Sequence, residues 1–216
     1  MKIEYLGHSC FKLTASTGMS VVCDPYSGEI GYSMPQITAD AVTISHHHFD
    51  HDYLGNINNN PVVLDREGSF DLNGVQINSV KSYHDDYQGK KRGENLIFKF
   101  LMDGITVCHL GDLGEKPSDR LTEKISEVDV LLIPVGGNYT IDAKTAKTYV
   151  DKIKPQIVIP MHYRTFDCKI DIDKIDEFLK LFDKDSITEE DCLEISKNGL
   201  GNERLKIIVL RRVYER

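Results

Sequence analysis

The chain has 216 residues, 40% hydrophobic and 28% charged, a composition of folded globular proteins and long enough to bury a core without disulfide or metal staples. Its 26 basic and 34 acidic side chains leave a formal charge of −8, which argues against a general nucleic-acid coat but allows a local basic pocket. No run approaches the roughly eighteen apolar residues of a membrane span, and five scattered cysteines (Cys10, Cys23, Cys108, Cys168, Cys192) without a CxxC exclude a disulfide framework.

The first quarter reads as β. Lys2–Leu6, Cys10–Ala15 and Ser20–Cys23 form short runs broken by turn residues, as in a meander, and no apolar leader precedes them. With the reduced thiols, this sets a cytoplasmic location as the expectation. Asp24-Pro25-Tyr26-Ser27-Gly28 is a loop signal. Ala41–Ile44 is a buried strand, and Pro61–Leu64, Phe70–Leu72 and Val75–Val80 follow. Asn73-Gly74 predicts a tight hairpin, as does Asp103-Gly104 between Asn95–Met102 and Ile105–Leu110. Beyond residue 115 helices are expected over Ser118–Glu127, Thr140–Ile153 and Ile172–Phe182. Strands are expected at Val130–Pro134, Gln156–Ile159 and Leu205–Arg212. The pattern predicts an α/β chain of one domain, 1–216: two facing mixed sheets with helices on both outer faces.

Histidine carries the functional signal. Four of the eight histidines fall in His46-His47-His48-Phe49-Asp50-His51, directly after a buried strand. Imidazole and carboxylate are the usual ligands of zinc and similar divalent ions. A tight loop there aims His46 and His48 to one side and turns Asp50 and His51 toward a second ion. Three further candidates stand where an apolar strand meets a loop: His84, Asp112 in Gly111-Asp112-Leu113-Gly114, and His162 in Pro160-Met161-His162-Tyr163. Together they supply five histidines and two aspartates, a complement for two metals. Asp112 is the natural bridge, since its carboxylate has two oxygens in a turn flanked by glycines. Such a pair lowers the pKa of a bridging water and polarises the scissile bond.

These residues, in this order, resemble the metallo-β-lactamase superfamily, and the N-terminal LGHSCF and DPY segments are similar to its opening strands. The resemblance implies an αβ/βα sandwich. By analogy His46, His48 and His84 hold one metal, Asp50, His51 and His162 the other, and Asp112 bridges; the ions would be two divalent metals, zinc first, with manganese or iron as alternatives. Among members the chain is similar to small single-domain hydrolases of the L-ascorbate-6-phosphate lactonase-like group. The oxygen-reducing di-iron members carry a carboxylate where this chain has His48.

Around this set, Asp24 is expected to orient ligands through the histidine loop. His8 resembles a family position at the rim of the site and is a candidate to touch substrate. Tyr139 is a candidate partner for a leaving group. Arg164, two residues past His162, and Arg92, in the polar Lys90-Lys91-Arg92 loop after His84, are candidates to hold an anion. His47 and His109 are expected to face structure instead of metal. The reading is a binuclear metal-dependent hydrolase in which a metal-bridging hydroxide attacks an ester, lactone or phosphodiester, Asp50 shuttling the proton. Its partner would be a small anionic substrate, with no membrane and no nucleic acid. The alternatives are a metal-dependent thiol oxidoreductase and a metal-stabilised binding protein without turnover.

Overall fold

A computed structural model describes residues 1–201 and 204–213. The strands in chain order are β1 (Lys2–Gly7), β2 (Cys10–Thr14), β3 (Ser20–Cys23), β4 (Ala41–Thr43), β5 (Val62–Leu64), β6 (Gly68–Leu72), β7 (Val75–Tyr83), β8 (Glu94–Met102), β9 (Ile105–His109), β10 (Val130–Pro134), β11 (Ile157–Met161), β12 (Ile187–Glu190), β13 (Leu193–Glu194) and β14 (Lys206–Leu210). The α-helices are α1 (Asp119–Lys124), α2 (Ala143–Ile153) and α3 (Asp176–Leu179).

The strands form two mixed sheets, one of six in the order β13-β1-β2-β3-β4-β5 and one of eight in the order β12-β14-β11-β10-β9-β8-β7-β6. Both expected hairpins form. Leu72 pairs with Val75 and Met102 with Ile105, and Asn73, Gly74, Asp103 and Gly104 all take the positive φ that a two-residue turn of this hand requires.

Side-chain alternation explains the layering. Ile3, Phe11, Leu13 and Val21 of the smaller sheet join Phe98, Val107, Leu132 and Ile159 of the larger in one buried cluster. The residues between them face outward. Cys108, Leu131, Val158 and Ile207 pack with Leu121, Ala146, Tyr149, Val150 and Phe178 of the helices. Leu6, Cys10, Val22 and Val42 pack instead with Tyr26, Ile30, Met34 and Ala39. The helical cover is therefore asymmetric: α1–α3 lie over the larger sheet, and a loop with a single 3-10 turn (Gly28–Ile30) covers the smaller one.

Three elements differ from expectation. The third helix shrinks to one turn because its predicted start is used elsewhere. The N–H of Asp173 donates to Gly136 O (2.7 Å), and its carbonyl accepts from Arg164 N (2.8 Å). Strands β12 and β13 were not foreseen. Their short polar runs, Ile187–Glu190 and Leu193–Glu194, carry little pattern and are set by pairing with β14 and β1. Among the described residues no helix is long and apolar enough to cross a membrane. None of the five cysteines is in a disulfide.

Candidate metal centre

The seven predicted ligands converge at one end of the two sheets. His46, His48, Asp50 and His51 follow β4, His84 follows β7, Asp112 follows β9 and His162 follows β11. Three hydrogen bonds join the sheets beneath them: Leu96 N–H donates to Ser45 O (2.8 Å), His162 N–H to His8 O (2.9 Å) and His109 Nε2–H to Ser9 O (2.8 Å). His109 Nδ1 accepts from Gly111 N–H, so this histidine is a core link that shapes the approach to Asp112, as expected.

Ligand atoms group in three overlapping sets, each within 4.8 Å of one another: His46, His48 and His84; His8, Asp50, His51 and His162; and His46, His51 and Asp112. Asp112 spans the first two. Its Oδ1 is 3.2 Å from His51 Nε2, and its Oδ2 is 3.2 Å from His162 Nε2, 3.6 Å from His84 Nε2 and 4.0 Å from His46 Nε2. Buried polar atoms are normally well paired, yet His46 Nε2 is buried without a hydrogen-bond partner, and His51 Nε2 and Asp112 Oδ1, which face each other 3.2 Å apart, make no well-aligned bond. Inward-facing imidazole nitrogens and a carboxylate oxygen, poorly paired in one place, are a donor set that fits divalent cations.

The surrounding contacts orient these donors. Asp24 Oδ2 lies 2.9 Å from His51 Nδ1 and accepts from Ser45 Oγ (2.6 Å), while Oδ1 accepts from Ser45 N–H (2.8 Å). This leaves His51 Nε2 to face the cluster, the arrangement anticipated for Asp24. Asn95, which the sequence did not flag, accepts from Asp112 N–H (2.9 Å) and donates to Ser82 Oγ and Leu110 O. Gly111, at φ 54°, admits no side chain, because a Cβ would collide with Asn95 Oδ1 and Ser45. His8, Asp24 and His162 also take positive φ (56°, 46° and 51°), a conformation costly for non-glycine residues. Three such residues around one buried cluster mark where the fold holds backbone strain.

Charge is distributed accordingly. Burial raises the carboxyl pKa of Asp112, but His162 and His51 outweigh it and hold it well below the usual range. Burial opposes protonation of His51, yet Asp112, Asp24 and Asp50 prevail and raise its pKa well above 6.5. Burial acts against the Asp50 anion too, and His51 and His8 reverse it.

A cavity of about 530 Å³ opens onto the centre, lined by His48, Asp50, His84 and Asp112 on its floor. Its walls hold Phe49, Tyr139, Ile170, the cations Lys91, Arg92 and Lys169, and one acid, Asp171. Tyr139 and Arg92, both candidates from the sequence, line this wall, with the guanidinium 5.3 Å from the Tyr139 ring centre. Two expectations fail. Arg164 is exposed and lines neither this cavity nor its neighbour, because the left-handed turn at His162 and the bond from Arg164 N–H to Asp173 carry it out of the site. His8 is not at the rim; it is fully buried within the second donor group, its Nε2 3.2 Å from Asp50 Oδ2. His47 is exposed and turned to Asp52 (3.3 Å), as expected. Lys169 and Asp85 were missed. Nothing local distinguishes Lys169 from other loop lysines, whereas Asp85 had a signal in its place beside His84 and before Gly89 and Gly93.

A family model described as "Beta-lactamase superfamily domain" matches residues 2–162. A Methanospirillum hungatei protein named UPF0173 metal-dependent hydrolase is 31% identical over 192 residues, covering 77% of this chain and 84% of its own. A Thermotoga maritima structure, a candidate Zn-dependent hydrolase of the metallo-β-lactamase superfamily, is 40% identical with a TM-score of 0.80 and 97% of each chain covered. The metallo hydrolase Igni18 of Ignicoccus hospitalis shares the fold at 23% identity, with a TM-score of 0.62 over 83% of this chain and 89% of its own.

Proposed function

The chain belongs to the β-lactamase superfamily and is a metal-dependent hydrolase of that superfamily, and from this premise we propose that it is a two-metal enzyme cleaving a small anionic ester, lactone or phosphodiester. The observation that carries this is the position of Asp112, whose two oxygens reach histidines of both donor sets. His46, His48 and His84 would hold one ion, Asp50, His51 and His162 the other, and Asp112 both. When bound, such a pair supplies an acidified water and polarises the scissile bond.

The chain's own residues do the rest. Asp24 fixes the His51 ring so that Nε2 faces inward. Asn95 fixes the backbone from which Asp112 projects. Asp50 lines the cavity as an anion and is placed to take the proton given up by the attacking water. Tyr139, on the wall, is placed to hydrogen-bond a departing oxygen. Lys91, Arg92 and Lys169 favour anionic substrates.

Metal analysis of the purified protein, followed by a screen of esters, lactones and phosphodiesters, tests this reading. Two redox-silent ions per chain with hydrolytic turnover are expected. One ion per chain at full activity removes the binuclear assignment, and oxygen-dependent turnover on thiols with an iron pair favours an oxidoreductase.

A further inference from the structure

Phe49 sits inside the turn of candidate ligands, between His48 and Asp50, and it is 46% exposed. Phenylalanine is usually a core residue, yet this one joins none of the three buried clusters. Its backbone is fixed. Ser27 N–H donates to Phe49 O (3.0 Å), and the N–H groups of His51 and Asp52 donate to His48 O (2.8 and 3.1 Å). The side chain lines the cavity over the metal centre.

Two more apolar side chains line this cavity from the other sheet. Phe49 follows β4 of the smaller sheet, whereas Tyr139 follows β10 and Ile170 follows β11 of the larger. Asn138 Nδ2–H donates to Asp171 O (2.7 Å) and Asp173 N–H to Gly136 O (2.7 Å), so the loops of Tyr139 and Ile170 form one wall. Lys169 N–H donates to Ile30 O (2.8 Å), and Ile170 packs against the cluster of Tyr26 and Ile30. Tyr139 also joins no core cluster and is 38% exposed. Arg92 stands over its ring. Arg92 is itself held, because the buried Asp85 carboxylate accepts the N–H groups of Lys91 (2.8 Å) and Arg92 (2.7 Å). The wall is therefore formed by the chain's own contacts, with two aromatic rings left partly uncovered.

Charge does not account for these rings. The wall carries Lys91, Arg92 and Lys169 against Asp171, an excess of cation that attracts anions of many shapes. Apolar surface beside a few polar groups is what selects the shape of a ligand. We propose that Phe49, Tyr139 and Ile170 receive an aromatic ring on the acyl side of the substrate, so that the metal centre hydrolyses an ester or lactone of an aromatic acid, with Phe49 as the specificity-determining residue. This rests on the hydrolase reading above, and narrows its substrate. A ring entering between Phe49 and Tyr139 gains offset or edge contacts beyond its area. It also loses less rotational freedom on binding than a flexible alkyl chain of similar size.

The test uses metal-loaded protein and three hydroxamates followed by calorimetry. Acetohydroxamate presents the metal-binding head alone, phenylacetohydroxamate adds a ring, and hexanohydroxamate adds a flexible chain. Phenylacetohydroxamate is expected to bind at least tenfold tighter than either of the others. Phe49→Ala should remove most of that gain, with metal content retained and acetohydroxamate affinity within twofold of wild type. Tyr139→Ala should reduce the gain, whereas Tyr139→Phe, which keeps the ring, should preserve it. Phenylacetohydroxamate no tighter than acetohydroxamate, or a gain untouched by Phe49→Ala, overturns the aromatic site while acetohydroxamate binding leaves the hydrolase standing. Equal losses of both ligands in Phe49→Ala would show that Phe49 only supports the ligand turn. Hexanohydroxamate binding as tightly as the phenyl compound overturns the preference for a ring. Failure of the wild type to retain metal or to bind acetohydroxamate removes the hydrolase reading, and the aromatic site with it.

Discussion

His8 Nε2 and Asp50 Oδ2 meet 3.2 Å apart across 42 residues of sequence, linking the β1–β2 turn to the histidine loop. His8 is completely buried, and its carbonyl receives the N–H of His162, so this one residue touches two predicted ligands of the second donor set. A carboxylate with one oxygen held in this way has its second oxygen oriented for another partner. His8→Ala should lower metal affinity at that set about 10–100-fold, the range for partners that orient ligands. Competition with a chelating dye measures it, and affinity unchanged at both sites would remove the role.

The same residue gives a pH dependence. Burial, helped by His162, lowers the His8 pKa from 6.5 to about 4. As pH falls, the unfolded chain takes this proton before the folded one, so the stability held by neutral His8 is intact above about 6.5 and is lost toward about 4. The gap corresponds to roughly 3 kcal/mol. Metal-stripped wild type should therefore lose more thermal stability between pH 7.5 and 5 than His8→Asn does. Parallel melting curves for the two proteins would contradict this.

Asp112→Ala should abolish most turnover and release at least one ion, since among the described residues Asp112 is the carboxylate whose oxygens lie beside histidines of both donor sets. His47→Ala is the matched control: its ring is exposed and turned to Asp52, and its effect should stay within about 0.5 kcal/mol of stability and leave metal content alone. Metal counts and melting temperatures on the two variants decide it. Two ions retained in Asp112→Ala with full turnover would end the bridge assignment.

Asp24→Asn replaces the carboxylate that meets His51 Nδ1 and Ser45. The ring loses a charged partner but keeps its space, so the fold should persist while turnover falls about 10–100-fold and metal binds more weakly. Circular dichroism separates the two effects. An Asp24→Asn protein with normal metal affinity would show that the contact only closes the turn.

Gly111→Ala should cost at least 2 kcal/mol, because it adds a Cβ at φ 54° against Asn95 and Ser45, on the order of other strained or overpacked substitutions. Denaturant unfolding measures this. A change under about 0.5 kcal/mol would mean that the Asp112 turn yields easily.

Local sequence settled what depends on neighbouring residues. The spacing of His46, His48, Asp50 and His51 puts four donors in one turn after β4, and Asn73-Gly74 and Asp103-Gly104 fix two hairpins because φ is a property of those residues. Apolar runs ending in His84, Asp112 and His162 mark strand ends, where side chains of a sheet protein converge. The third helix is shorter than its spacing suggests, because the backbone of Asp173 bonds to Gly136 and Arg164 instead. Tertiary structure decided which charges face the cavity. Arg164 and Lys169 lie on the same segment and look alike in sequence, yet the turn at His162 sends the first to solvent and the chain's return brings the second to the wall. His8 and Asn95 gain their roles only when distant strands close on them, because a side chain's burial and its hydrogen-bond partner belong to the packed chain and not to the residues beside it.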